Sequence, residues 1–159
     1  MVKISIVFIS LIVALVCCTK KEGKNPSLAY TDYALLDSCQ QPYHFYYKND
    51  PTTLLSGAHG PHGTFKLRFN ATAFKALTDG GKLPVGASFP EGSLIIKDIY
   101  QGSDLTLYAF MYKTSGSWLW GEIKPNRTVL YGVKGNPTVC NGCHSQSGNR
   151  DLAVSFNFY

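Results

Sequence analysis

The stretch from residue 93 to residue 133 constrains the fold most, because it contains four extended patterns joined by short turns. Residues 93–100, 105–113, 117–123 and 128–133 are each rich in β-branched, aromatic and other apolar residues. The separators consist of Gly, Ser, Asp, Asn and other turn-forming residues. Strands joined by connections this short run antiparallel, because parallel strands need a long crossover. The sequence therefore predicts an antiparallel meander.

Segments on both sides of the meander extend this prediction. Apolar spacing close to a helical turn predicts short helices over residues 30–39 and 71–78. Alternation of apolar and polar residues predicts extended segments over residues 65–69 and 151–158, and the Gly- and Pro-rich residues 49–63 predict a loop. We therefore expect a mainly β (α+β) fold with a few short helices.

Near the end of the chain, residues 140–144 read Cys-Asn-Gly-Cys-His, a CxxCH motif. This spacing is the attachment signature of a c-type haem. Cys140 and Cys143 lie one turn apart on a helix, so both thiols can form thioethers with the vinyl groups of one porphyrin. His144 is then carried beneath the iron as its proximal ligand. The motif predicts one covalently bound haem c.

Two other uses of a CxxC pair fit the sequence less well. A thioredoxin-type motif opens a helix after a strand in a βαβ unit, and a zinc site has a second ligand pair at related spacing. Neither context is present. A structural protein in which the two cysteines merely pair or stay free is a further alternative.

The beginning of the chain predicts export. Residues 4–16 are almost wholly apolar, follow a single lysine and are short for a membrane span, as in the h-region of a secretory signal. The run ends at Cys17 and Cys18 and then turns polar, which resembles a bacterial lipoprotein processing site. We expect acylation of Cys18, with Cys17 or an ordinary signal peptide as the alternatives.

These features divide the chain into a lipoprotein-type signal peptide at 1–17, a tether at 18–28 and a single haem domain at 29–159. The expected location is the periplasmic side of a membrane, held by the lipid. The formal net charge of +5 is mild, and lysines cluster at positions 20, 21 and 24 beside the expected anchor. Attraction to anionic lipid, or simple solvation of the tether, explains this pattern better than a nucleic-acid partner does.

With strands upstream and CxxCH near the C-terminus, residues 43–158 resemble the cytochrome P-460 and cytochrome c′-beta family of β-sheet haem proteins. The segments that carry the resemblance are His59-Gly-Pro-His62-Gly, Phe89 to Tyr100, Tyr108 to Lys113, Trp118 to Glu122, and the CxxCH motif followed by Arg150-Asp151. The resemblance implies a proximal histidine and an open or weakly held distal iron position in a sheet-built pocket. Members of the family often form dimers.

The resemblance also implies two possible activities. The P-460 enzymes carry a lysine cross-linked to the porphyrin, oxidise hydroxylamine and use a distal carboxylate to manage protons; Lys97 and Glu122 match those positions. The c′-beta proteins lack the cross-link and bind nitric oxide or carbon monoxide beneath aromatic side chains. The simpler interpretations are that Lys97 is a solvated lysine on a strand and that Glu122 is an exposed charge at the end of a strand.

Several other residues are candidates for the distal side or for the core. His44, His59 and His62 are candidates for the distal side, where a histidine would be the sixth ligand of the iron or would donate a hydrogen bond to a bound ligand. For His59 and His62, the favoured role is to hold the Gly-Pro loop in shape. Met111 is expected to pack in the core, Cys39 to be a buried inert thiol, and Phe65, Phe69, Phe74 and Phe110 to be possible pocket lining.

The sequence favours an accessible iron site that binds a diatomic gas or oxidises a small nitrogen compound such as hydroxylamine, with a redox partner protein. Only 15 residues follow His144 and none is Met, so no dedicated sixth ligand follows the motif. The alternative is a six-coordinate, membrane-tethered electron-transfer cytochrome that uses one of the histidines or Met111.

Overall fold

An antiparallel sheet is the centre of the computed structural model, which describes residues 33–56 and 62–154. Within these residues the sheet has seven strands in the order β1-β3-β4-β5-β6-β7, and β2 also pairs with β3. The strands are β1 (Phe45–Tyr46), β2 (Leu55–Ser56), β3 (Thr64–Phe69), β4 (Leu94–Gln101), β5 (Asp104–Thr114), β6 (Ser117–Ile123) and β7 (Val129–Gly135). The helices are α1 (Tyr33–Cys39), α2 (Ala71–Lys75) and α3 (Thr138–His144), with a 3-10 turn at Tyr47–Asn49.

The predicted mainly β fold and antiparallel meander are confirmed. All four meander strands form, and each pairs with its neighbour in sequence. The β5–β6 turn places Ser115 at φ 52° and Gly116 at φ 71°. Two successive residues with positive φ are typical of the tight hairpin turn whose twist matches that of the strands.

Alternation along the strands divides the sheet into two apolar faces. The pocket face carries the core cluster that includes Phe65, Ile95 and Trp118, together with α2 and α3. The helix face carries the second cluster, in which Leu36 and Cys39 of α1 pack beside strand residues such as Ile96 and Phe110. Cys39 is fully buried, as expected for an inert thiol, and burial raises the pKa of its thiol far above the usual range.

Close packing on the helix face explains one glycine. A Cβ added at Gly121 would lie 2.5 Å from a ring carbon of Phe110, the residue paired with it across the strands. Because such a distance is sterically forbidden, a glycine is needed where the Phe110 ring lies against β6.

Three local predictions need correction. Helix α2, capped by the Asn70 side chain accepting from the Ala73 amide, ends at Lys75 rather than continuing to residue 78. The predicted loop 49–63 contains the short strand β2. Residues 151–154 are not extended, because Asp151 and Leu152 adopt φ angles of 49° and 65° and turn the chain back on itself. The predicted signal, tether, Cys17, Cys18, His59 and residues 155–158 lie outside the described residues.

Candidate functional site

Helix α3 brings the whole CxxCH motif to one cavity on the pocket face. It begins after Pro137, whose restricted φ suits a helix entrance, and its last turn is closed by the Ser145 amide donating to the Asn141 carbonyl. Cys140, Cys143 and His144 all line the cavity, which has a volume of about 260 Å³. Both thiols are free, and Cys143 is exposed at the rim while Cys140 is half-buried.

The floor of the cavity is made of two rows of side chains across the sheet. In the first row Lys97 pairs with Ala109, Ala109 with Glu122, and Glu122 with Tyr131. In the second row Ile95 pairs with Met111 and Met111 with Trp120. All seven side chains line the cavity, so the register of the meander determines which side chains meet there.

His144 is held in the form that suits a metal ligand. Its Nδ1 lies 2.6 Å from the carbonyl oxygen of Leu152, which can only accept, so Nδ1 carries the proton and Nε2 keeps its lone pair. The Trp120 ring packs edge-on against the imidazole with 4.5 Å between ring centroids. Burial, opposed by the Leu152 hydrogen bond, lowers the pKa of His144 to about 4, so the ring is neutral at physiological pH.

Lys97 and Glu122 lie in the same cavity rather than on the outer, solvated side of the sheet. Burial lowers the pKa of Lys97 to about 8, and its Nζ lies 4.5 Å from the centre of the Phe65 ring. Burial also raises the pKa of the half-buried Glu122 carboxyl. Their backbones are two strands apart, roughly 10 Å, and the small side chain of Ala109 lies between them.

The remaining candidates divide between the two faces. His62 and Met111 line the cavity, and burial lowers the pKa of His62 to about 4. Met111 is also part of the buried core, as predicted. His44 lies elsewhere, buried beside Arg68 with its Nδ1 3.1 Å from the Gln41 carbonyl. Of the four phenylalanines proposed as pocket lining, Phe110 lines the cavity and also packs in the helix-face cluster. Phe65, Phe69 and Phe74 pack in the pocket-face cluster instead and do not line the cavity.

Trp120 and Tyr131 are cavity residues that the sequence patterns do not single out. Trp120 was noted only as part of a segment, and its buried Nε1 has no hydrogen-bond partner. Tyr131 reaches the cavity because β7 shifts register beside Glu122, which a count of alternating residues does not reveal. For Trp120, the available sequence signal is that it stands two residues before the candidate Glu122 and so lies on the same face of the strand.

These residues fit a covalently bound haem. The cavity has two thiols at one side, an imidazole with a free Nε2, and mainly apolar walls from Leu67, Ile95, Met111 and Ala153. A buried indole N–H without an acceptor also suits a cavity that receives a group with polar edges. Among the described residues, no cluster of three or more His, Cys, Asp or Glu side chains is arranged to hold a metal ion.

In the described part of the chain, no helix combines the length and apolar character needed to cross a membrane. No known protein family, curated protein or solved structure matches this chain.

Proposed function

We propose that this protein binds one c-type haem on the pocket face of its sheet and takes up a small diatomic ligand, nitric oxide or carbon monoxide, at an accessible iron. The observation that carries the proposal is that Cys140, Cys143 and His144 face one apolar cavity together with Lys97 and Glu122. When bound, haem supplies an iron that takes small ligands and exchanges electrons.

The chain's own residues have distinct roles in this proposal. Cys140 and Cys143 hold the porphyrin through thioethers, and His144 offers Nε2 to the iron while its Nδ1 donates to Leu152. The apolar side chains exclude water and strengthen the polar interactions that remain. Lys97 and Glu122 are the charged strand residues of the cavity floor that meet a ligand entering there.

The resemblance to the cytochrome P-460 proteins adds a second candidate, hydroxylamine oxidation. Loss of two electrons from hydroxylamine releases two protons and leaves nitroxyl, with a redox partner protein as the final electron acceptor. The position of Glu122 favours this candidate, because a half-buried carboxyl with a raised pKa takes up a proton more readily than a solvated one. The lowered pKa of Lys97 leaves more neutral amine, the form that would bond to a porphyrin edge.

The six-coordinate alternative has support of its own, because His62 and Met111 line the same cavity. Either side chain would occupy the iron position that the proposal leaves to an external ligand. The two proposals therefore differ in spin state and in response to gas, which a spectrum measures directly.

The test uses the full chain matured with a cytochrome c assembly system. We expect a ferrous absorption spectrum typical of five-coordinate, high-spin haem that changes on adding nitric oxide, and denaturing mass spectrometry should find one retained haem. A low-spin spectrum insensitive to carbon monoxide would support the electron-carrier alternative. Protein without haem would refute both. Peptide mapping of the wild type and of Lys97→Arg tests for a third covalent bond, from the Lys97 amine to the porphyrin edge. Arginine keeps the positive charge but cannot form this bond.

A further inference from the structure

The turn that follows helix α3 is tied to the sheet at Asp151. The carboxylate of Asp151 accepts from the ammonium group of Lys113 on β5, at 2.9 and 3.0 Å. It also accepts from the Phe89 amide at 2.7 Å, while its carbonyl accepts from the Trp118 indole at 2.9 Å. Side chains of the ion pair are 6% and 12% exposed, so this charged contact is shielded from solvent.

Asp151 and Leu152 are the two central residues of this turn. Both have positive φ, and the Ala153 amide donates to the Arg150 carbonyl at 3.0 Å to close it. An aspartate tolerates this conformation, but a leucine adopts it at a cost on the order of 1 kcal/mol or more. Contacts from outside the turn must therefore hold it, and Asp151 receives such contacts from three separate segments of the chain.

The same turn supplies the hydrogen bond that orients His144. The acceptor for its Nδ1 is the carbonyl of Leu152, the residue directly after Asp151. A short donation of this kind fixes the tautomer and the ring plane, and it makes the opposite nitrogen a stronger electron donor. Leu152 belongs to the turn, and the buried ion pair with Lys113 is one of the contacts that hold Asp151 in that turn.

We infer that Lys113 and Asp151 are positioning residues that set the donor strength of His144 through the Leu152 carbonyl. This inference rests on the proposed function, because it assigns the residues that tune the proposed ligand. Neither side chain touches the cavity; Lys113 instead reaches the turn and packs 5.0 Å from the centre of the Trp118 ring.

The test is Asp151→Asn, which keeps the shape of the side chain and removes its charge. Weaker contact with Lys113 should loosen the turn and lengthen the His144 hydrogen bond. A poorer donor favours ferrous over ferric iron, so we expect that equilibrium to shift about tenfold, which is about 59 mV toward higher potential. The iron–histidine stretching frequency of the ferrous protein should fall in the same variant.

Asp79→Asn is the matched control. Asp79 accepts from Arg150 in the same turn at 2.7 Å, but its carboxylate is 54% exposed. This variant also removes one charge paired to the turn, yet it leaves Asp151 and Leu152 in place. We expect its potential and stretching frequency to match those of the wild type.

A second readout does not need haem. In the full chain expressed without haem maturation, nitrogen NMR of His144 should show the Nδ1–H tautomer alone, and Asp151→Asn should produce a mixture. Should that variant fail to fold, Lys113→Gln carries the same expectations. Unchanged potential and tautomer, or equal changes in Asp79→Asn, would overturn the inference. A matured protein without haem would refute the proposed function, and the tautomer would still test the positioning role.

Discussion

At the scale of single residues, burial has opposite effects on the two charged residues of the cavity floor. It lowers the pKa of Lys97 to about 8 and raises the pKa of Glu122, in each case because the charged form loses hydration. Each group therefore reduces the stability of the folded chain while it is charged. Residues kept at such a cost are often functional, which agrees with roles for both in the proposed site.

Replacing Lys97 by methionine should stabilise the haem-free full chain at pH 7, by about 1 to 3 kcal/mol. Below pH 8 the lysine is protonated in both states, so the folded state carries the full cost of the buried ammonium. Between pH 8 and the ordinary value of 10.5, the unfolded state holds more protons, and wild-type stability rises toward that of the variant. Urea unfolding at pH 7 and pH 9.5 measures the narrowing difference.

Glu122→Gln should show the opposite pH dependence, because burial raises the pKa of Glu122. Its stabilisation at pH 7 should shrink as the pH falls, because the folded state takes up the carboxyl proton before the unfolded state does. A Lys97→Met difference that stays constant with pH, or a variant less stable than the wild type at pH 7, would contradict the burial of this ammonium.

At the scale of secondary structure, one buried arginine joins the helix face of the sheet to α1. Arg68 on β3 makes a two-point contact with Asp98 on β4 at 2.6 and 2.7 Å. Two further N–H groups donate to the carbonyls of Cys39 and Gln41, each at 2.8 Å. The guanidinium therefore supplies hydrogen-bond donors to backbone carbonyls at the C-terminal end of α1, which the sheet alone would leave without partners.

Arg68→Met should destabilise the domain by about 3 to 5 kcal/mol, because it leaves the Asp98 carboxylate buried without its partner. The double variant Arg68→Met/Asp98→Leu should recover part of this loss, since no buried charge then remains. Urea unfolding of both single variants and the double variant measures the coupling.

The exposed pair Arg127–Asp37 is the control for that cycle. Its atoms are as close, at 2.6 Å, but the side chains are 56% and 45% exposed. Arg127→Met should change stability by less than about 1 kcal/mol. Equal effects of the two arginine substitutions would show that burial does not set the strength of the Arg68 contact.

The elements also show which parts of the fold could be predicted from sequence. The meander strands were predictable because alternation and turn residues are local signals. The residues after α3 alternate in the same way, yet Asp151 forms a turn because its partners Lys113 and Trp118 lie over 30 positions away. For the site, the CxxCH motif indicated one end of the cavity. The meeting of Tyr131 with Glu122 depended on a register shift that the sequence does not reveal.

At the scale of the whole molecule, the two proposed covalent modifications are far apart in the chain. The expected lipid site, Cys18, precedes the described domain, and the haem-attachment cysteines follow the last strand of the sheet. The expected lipid site lies in the predicted tether at 18–28, outside the described residues, whereas Cys140 and Cys143 lie on α3. Membrane attachment and haem binding should therefore be separable.

Cys18→Ser should move the protein from the membrane fraction to the soluble fraction without changing its haem spectrum. The double variant Cys140→Ser/Cys143→Ser should do the reverse, remaining with the membrane but lacking covalent haem. Fractionation with haem staining of both variants measures the two properties side by side. Cys17→Ser is the matched control, and it should behave as the wild type if Cys18 carries the lipid. If Cys17→Ser releases the protein instead, Cys17 carries the lipid. If both single variants stay in the membrane fraction, attachment does not depend on either acylation site alone.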